Sequence, residues 1–230
     1  MINARYMLNG IDSQYKVIVF DLGGTLMEYV GMPLDWSDFY LQGFRRVVDK
    51  FKLNVCDQKI SEASDILRSF NPRLTHREVE IMPEVLFSEA VKDWDNKPDI
   101  SLIIDAFFEG LELKSRIFDH TPKILESCRE KGIVTACLTD LPNGMPDRIF
   151  KDAVSGLIDQ LDLYVSSQIC GYRKSNKAGI LLIAEEFNVD ITDILLVGDE
   201  EKDLITAHNV GCDFMYISDL LDQEKSRADS

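Results

Sequence analysis

Asp21 ends the apolar run Val17-Ile18-Val19-Phe20 and is followed by Leu22-Gly23-Gly24-Thr25-Leu26. A largely β-branched run of this kind reads as a central strand of a parallel sheet. Ligands of such sheets bind outside the carboxyl ends of the strands, so the Asp21 carboxylate is placed where chemistry is done. Two adjacent glycines let the backbone turn sharply and approach a ligand closely. Taken alone, the pattern also fits an Asp that caps a turn. Three further segments repeat the theme. Gly132 to Leu138 reads as a second buried strand ending in Thr139-Asp140, which supplies a hydroxyl. Asp162-Leu163-Tyr164-Val165 is a short strand followed by Gly171-Tyr172-Arg173-Lys174, which leaves the Lys174 cation on a loop before a helical pattern. Ile194-Leu195-Leu196-Val197 ends in Gly198-Asp199-Glu200-Glu201-Lys202-Asp203, carboxylates that can hold a metal or, on the plainer reading, sit favourably at a helix N-terminus.

The elements that must position these groups are legible in the apolar pattern. Strands and helices alternate with short connections around residues 115–217, which predicts an α/β fold with a doubly wound parallel sheet. From Trp36 to Leu113 the period becomes helical, as in Phe39, Phe44, Val47, Val48 and Phe51, with breaks near Asn54, Asn71-Pro72 and Lys97-Pro98; four helices fit. Residues 1–13 read as a loose leader, and the polar stretch after Asp219 as a frayed tail. The 230 residues are 45% hydrophobic, enough for a substantial core domain and a smaller second one. A formal net charge of −15 and a pI of about 4.6 argue against nucleic acid and anionic membrane as partners. Cys56, Cys128, Cys137, Cys170 and Cys212 show no Cys-x-x-Cys spacing and read as reduced thiols. With no apolar run near 20 residues and no signal-like start, a cytoplasmic location is expected.

Asp21, Thr139, Lys174 and Asp199-x-x-x-Asp203, in this order and each at or just after an apolar strand, resemble the four motifs of the haloacid dehalogenase superfamily of phosphatases and related hydrolases. The resemblance covers roughly residues 14–30 and 115–217. It implies a Rossmannoid core over 1–30 and 114–230, with a smaller all-helical cap of type one, 31–113, inserted after the first strand. It further implies that Asp21 attacks phosphorus to form an aspartyl-phosphate, splitting one difficult displacement into two. Thr139 and Lys174 would neutralise phosphoryl charge, and Gly24, Thr25 and Asp140 would meet the substrate. Mg²⁺, a hard ion that prefers oxygen, would be held by Asp21, the Gly23 carbonyl and Asp199, with Asp203 orienting ligands or a metal-bound water. The parts of Glu200 and Glu201 stay open.

Two departures stand out. Gly23 replaces the second Asp that phosphatases of this family usually carry as general acid and base, and Ser175 follows the motif lysine where a Pro is common. General acid–base catalysis contributes about 10²–10⁴-fold, so acyl, aryl or anomeric phosphates, whose leaving groups need less help, become plausible substrates. In the cap, Arg73, His76 and Arg77 concentrate positive charge in an acidic chain; they are candidate substrate contacts, or else solvated loop charges. His76 has the ordinary pKa for supplying the missing proton. Glu28, Tyr29, Met32 and Trp36 either close over substrate or simply pack. The expectation is a Mg²⁺-dependent phosphohydrolase of a small phosphorylated metabolite, monomer or homodimer. The alternative is a weak or inactive relative that binds a phosphorylated ligand or a protein partner.

Overall fold

The computed structural model describes residues 15–228, with side chains up to Asp222. The leader expected at residues 1–13 lies outside the described residues. The chain divides into two compact units. One holds the described residues up to Glu28, Ser115–Asp140 and the chain from Val154 onward; the other holds Tyr29–Lys114 and Leu141–Ala153. Leu141–Ala153 thus groups with the helical segment, although its place after Thr139-Asp140 had suggested the strand-bearing part.

Among the described residues the strands are β1 (Val17–Phe20), β2 (Met27–Tyr29), β3 (Ser115–Ile117), β4 (Val134–Thr139), β5 (Leu163–Ser166), β6 (Ile194–Gly198) and β7 (Asp213–Tyr216). The helices are α1 (Tyr40–Phe51), α2 (Asp57–Ser69), α3 (Pro83–Ala90), α4 (Ile100–Gly110), α5 (Thr121–Glu130), α6 (Asp147–Ile158), α7 (Ser167–Cys170), α8 (Ala178–Phe187), α9 (Glu201–Val210) and α10 (Ile217–Ala228). The tail expected to fray after Asp219 therefore continues as α10, whose Ile217 and Leu220 are buried. The apolar spacing there is sparse but sufficient to seat its first turn.

In the first unit a five-stranded sheet runs in the order β5-β4-β1-β6-β7, with every pairing parallel. From β1 the chain moves outward to β4 and β5, then crosses back to β6 and on to β7. Parallel crossovers are right-handed, so this reversal of direction puts the helices on opposite faces of the sheet. The packing agrees: Val17 and Val19 share a cluster with Ile180 and Ile183 of α8 and Ala207 of α9, and no residue of α5 belongs to it. Every residue of β1 is fully buried, as expected of a strand covered on both faces. The direction reverses between β1 and β6, where ligands of open α/β sheets bind. β2 and β3 form a separate pair where the chain leaves this unit and returns.

The helical unit is organised by aromatic rings. Phe107 of α4 meets Phe44 and Phe87 at 4.9 Å each and Tyr40 at 5.9 Å between centroids. Gly43 allows α1 to lie against this ring, since a Cβ there would overlap Phe107. Tyr29 packs edge-on to Trp36 at 5.2 Å and to Phe150 at 6.4 Å. The amide of Asn143 donates to the Tyr40 hydroxyl and the Leu67 carbonyl, tying the Leu141–Ala153 segment to α1 and α2.

Candidate active site

Register brings the strand-end residues together. Phe20 lies level with Cys137 of β4 and Val197 of β6, so Asp21 lies one residue, and Thr139 and Asp199 two residues, beyond the pairing with β1 at one end of three adjacent strands. Thr139 still pairs with Ser166 of β5. The Asp21 N–H donates to the Val197 carbonyl at 2.8 Å, which carries the sheet ladder one residue further and fixes the direction of the carboxylate. Leu22 N–H donates to Asp21 Oδ1 at 2.8 Å. Lys174 reaches in from the loop after β5, and its Nζ lies 2.7 Å from both Asp21 Oδ1 and Asp203 Oδ1. The side chain is 1% exposed, so this is a buried cation between two buried carboxylates. The contacts are ion pairs by distance, yet neither Lys174 Nζ nor Asp203 Oδ1 meets the directional requirement of a hydrogen bond. A buried group left so points to a further ligand or to a catalytic part.

The remaining groups are held from the backbone up. Asp140 Oδ1 accepts from the Lys174 N–H at 3.0 Å, so the carboxylate after Thr139 fixes the loop that presents Lys174. Thr25 Oγ1 donates to Asp199 Oδ1 at 3.0 Å, and a Cβ at Gly24 (φ 83°) would overlap that same carboxylate. Glycine at 24 is therefore required by conformation and by space. The His120 ring donates from Nε2 to the Thr25 carbonyl at 2.8 Å, and Thr121 donates to the Leu26 carbonyl at 2.7 Å, so the start of α5 supports the turn after Asp21. Glu200 N–H donates to Asp203 Oδ2 at 3.1 Å in a capping box that opens α9. Thr139 is buried and ends β4, paired with Ser166 of β5.

Charge is unbalanced here. Burial pushes the Asp21 carboxyl up to about 7, against the pull of Lys174 and with the repulsion of Asp203 and Asp199. Asp199 is raised as well, by burial first, with Asp203 and Glu200 adding to it and the Thr25 hydrogen bond opposing. Lys174 is pushed down by burial, but Asp203, Asp21 and Asp140 outweigh that and keep it an ammonium. Asp140 feels burial too, yet Arg173, Lys202 and Lys174 hold it below its ordinary value. The Asp21–Asp199 edge of the site is thus short of positive charge.

That shortage bears on a metal. Asp21, Asp199 and Asp203 offer carboxylate oxygens within 4.8 Å of one another, all hard donors. Asp203 has both oxygens engaged, one with Lys174 and one with Glu200 N–H, which leaves Asp21 and Asp199 as the side chains open to an ion. The donor set fits Mg²⁺.

The residues expected from the helical segment belong to the other compact unit. Arg77 pairs with Glu80 at 2.9 Å and donates to the carbonyls of Phe70 and Val79 and to Asn143 Oδ1, all within the helical unit. Arg73 and His76 are exposed. Sequence reasoning missed Arg173 and Lys202, which flank Asp140 at 3.9 and 3.5 Å, and His120; each is a single polar residue without a period or spacing to mark it.

The haloacid dehalogenase-like hydrolases match residues 15–211. The chain belongs to this family. It is 28% identical over 127 residues to a phosphoglycolate phosphatase of Thiobacillus denitrificans, an alignment covering 52% of this chain and 55% of that one. With a phosphoglycolate phosphatase of Haemophilus influenzae the identity is 23% over 226 residues, covering 88% and 85%. A crystal structure from Haemophilus somnus, described as a predicted phosphoglycolate phosphatase, superposes with a TM-score of 0.53 at 18% identity, covering 87% of this chain and 84% of that one. The haloacid dehalogenase fold is thereby shown, and the protein is a hydrolase of that family. No helix among the described residues is long and apolar enough to cross a membrane.

Proposed function

We propose that the protein is a Mg²⁺-dependent phosphohydrolase that works through an aspartyl-phosphate on Asp21 and lacks the usual general acid. The observation that carries this reading is the pairing of a buried Asp21 with Lys174 at 2.7 Å beside the Asp199 and Asp203 carboxylates. Oδ1 of Asp21 is held by Leu22 N–H and Lys174, which leaves Oδ2 as the attacking oxygen. Oδ2 forms the new bond to phosphorus while the bond to the leaving oxygen breaks; water then attacks phosphorus, the Asp21 carboxylate leaves with the electron pair of the broken Oδ2–P bond, and the proton of the water passes to the released phosphate or to solvent. Lys174 and Thr139 hold charge on the phosphoryl oxygens. Asp21, the Gly23 carbonyl and Asp199 would hold Mg²⁺, which when bound would supply positive charge for the phosphoryl transfer.

The substrate class follows from Gly23. With no acid there, the leaving group departs with its electron pair unprotonated, which favours acyl, aryl and anomeric phosphates. The named activity of the relatives makes 2-phosphoglycolate a necessary member of the alkyl panel. In this reading the helical unit is the family's cap, with Arg73, His76 and Arg77 as its candidate substrate contacts.

A Cβ at Gly23 would meet nothing within 4 Å, so an acid can be installed without displacing a neighbour. Phosphate release is measured from both panels with wild type, Asp21→Asn and Gly23→Asp, with Mg²⁺ and after chelation. Expected are Asp21- and Mg²⁺-dependent turnover on the first panel and a gain of about 10²–10⁴-fold on alkyl phosphates in Gly23→Asp. Equal wild-type turnover on both panels would show that another group, His76 among the candidates, supplies the proton. No turnover above Asp21→Asn on either panel would leave a ligand-binding protein.

A further inference from the structure

The cations of the site are not equivalent. Lys174 is enclosed and shared between two carboxylates. Lys202, on the first turn of α9, is 23% exposed, and its Nζ lies 3.5 Å from Asp140 Oδ2 and 3.6 Å from Glu200 Oε1. Both separations exceed the range of a charge-assisted hydrogen bond, about 2.7–2.9 Å. Three N–H donors are thus held near two carboxylates without a directed bond to either.

Topology sets where this ammonium lies. Lys202 follows β6 and Asp140 follows β4, and these strands flank β1 on either side. A side chain that reaches from one to the other spans the carboxyl end of β1, where Asp21 sits. Lys202 acts on both Asp21 and Asp140, drawing each carboxyl downward. Removing an ammonium from two loose carboxylate contacts costs little, whereas a phosphoryl oxygen offers it a short, charge-assisted bond.

We infer that Lys202 is a second phosphoryl-binding cation of the site, poised by Asp140 and Glu200 at its solvent side and transferring to a non-bridging oxygen of the substrate phosphate. The inference rests on the phosphohydrolase reading but is tested apart from turnover. Inorganic phosphate is titrated calorimetrically into the full chain with Mg²⁺, using wild type, Lys202→Met and Lys202→Arg, and steady-state kinetics are run on any phosphate ester that is turned over.

Lys202→Met is expected to weaken phosphate binding about tenfold or more, the worth of one charge-assisted bond, and to raise KM with kcat changed less. Lys202→Arg should retain binding within about threefold, because it keeps the charge and the donors. A merely structural lysine would leave phosphate affinity unchanged in Lys202→Met, and that result overturns the inference while leaving the phosphohydrolase reading intact. Phosphate binding that depends on Lys202 in a protein without turnover would support the inference and remove the hydrolytic reading. Absence of phosphate binding by wild type at millimolar concentration overturns the inference.

Discussion

The two units hold themselves together by different means. The helical unit is centred on rings, with Phe44, Phe87 and Phe107 fully buried. Among its buried polar groups, Asn71 and Asn143 are satisfied by hydrogen bonds that tie one segment to another, and Ser37 by bonds to Asp35. The sheet unit has an apolar body as well, but at one end of β1 it buries Asp21, Lys174, Arg173 and Asp203 within one small volume. Burying charges costs several kcal/mol per ion unless pairing and hydrogen bonds offset it, and here the offset is incomplete. Charge burial at this end of β1 therefore comes at the expense of stability, as the proposed chemistry requires, whereas Asn71 and Asn143 tie segments of the second unit together.

The largest effect that sharpens this contrast is expected from Lys174→Met. It leaves Asp21 and Asp203 facing each other without their cation, so breaking the buried pair should destabilise by about 3–5 kcal/mol and lower turnover by about 10²–10³-fold. Chemical denaturation and phosphate release check the two parts; a variant that loses activity and gains stability would reveal strain larger than the pairing. Phe107→Ala should cost a similar amount, about 3–5 kcal/mol, by opening a cavity among Phe44, Phe87 and Tyr40. Protection in hydrogen exchange should fall in α1 and α4 first, and uniform loss across both units would break the comparison.

Gly24→Ala comes next. The added methyl would overlap Asp199 in a backbone region that L-residues rarely adopt, so about 1–3 kcal/mol of strain is expected together with weaker Mg²⁺ binding. Gly23→Ala, two residues after Asp21 and facing open space, should be silent in stability. The smallest effect is at Asp35 in the helical unit. Burial pushes its carboxyl up, but hydrogen bonds from Ser37 N–H, Ser37 Oγ and the Asn71 amide outweigh this and hold it below its ordinary value. Its contribution is present above pH 4 and lost as pH falls through the lowered value; screened by solvent, it should amount to under about 1 kcal/mol. Urea midpoints of wild type and Asp35→Asn at pH 3 and pH 6 check it, with a smaller difference expected at pH 3 than at pH 6.

Legibility also differed between the units. β1, β4, β5 and β6 were visible because β-branched runs bounded by Gly, Asp and Thr have few other uses, and the order of Asp21, Thr139, Lys174 and Asp199 followed from those strand ends. The helical period was equally plain at Phe44, Val47, Val48 and Phe51, which fall on α1 (Tyr40–Phe51). Arg77 was harder: in sequence it is one of several charges in a polar stretch, and its bonds to Glu80 and to Asn143, 66 positions on, depend on a chain path that no local pattern encodes. Leu141–Ala153 reads in sequence as part of the core over 114–230, yet it groups with the helical unit, because which unit a segment joins is decided by what its buried side chains find.

The sequence by itself determined that a carboxylate, a hydroxyl, a lysine and an acidic pair stand at the ends of successive strands, since strand period and chain order are local properties. Only the tertiary structure decided how those groups share charge. Strand order places β4 and β6 beside β1, and that adjacency brings Lys174 between Asp21 and Asp203, commits both oxygens of Asp203, and carries Lys202 toward Asp140. Electrostatic coupling depends on distance in space, and distance in space is fixed by the sheet.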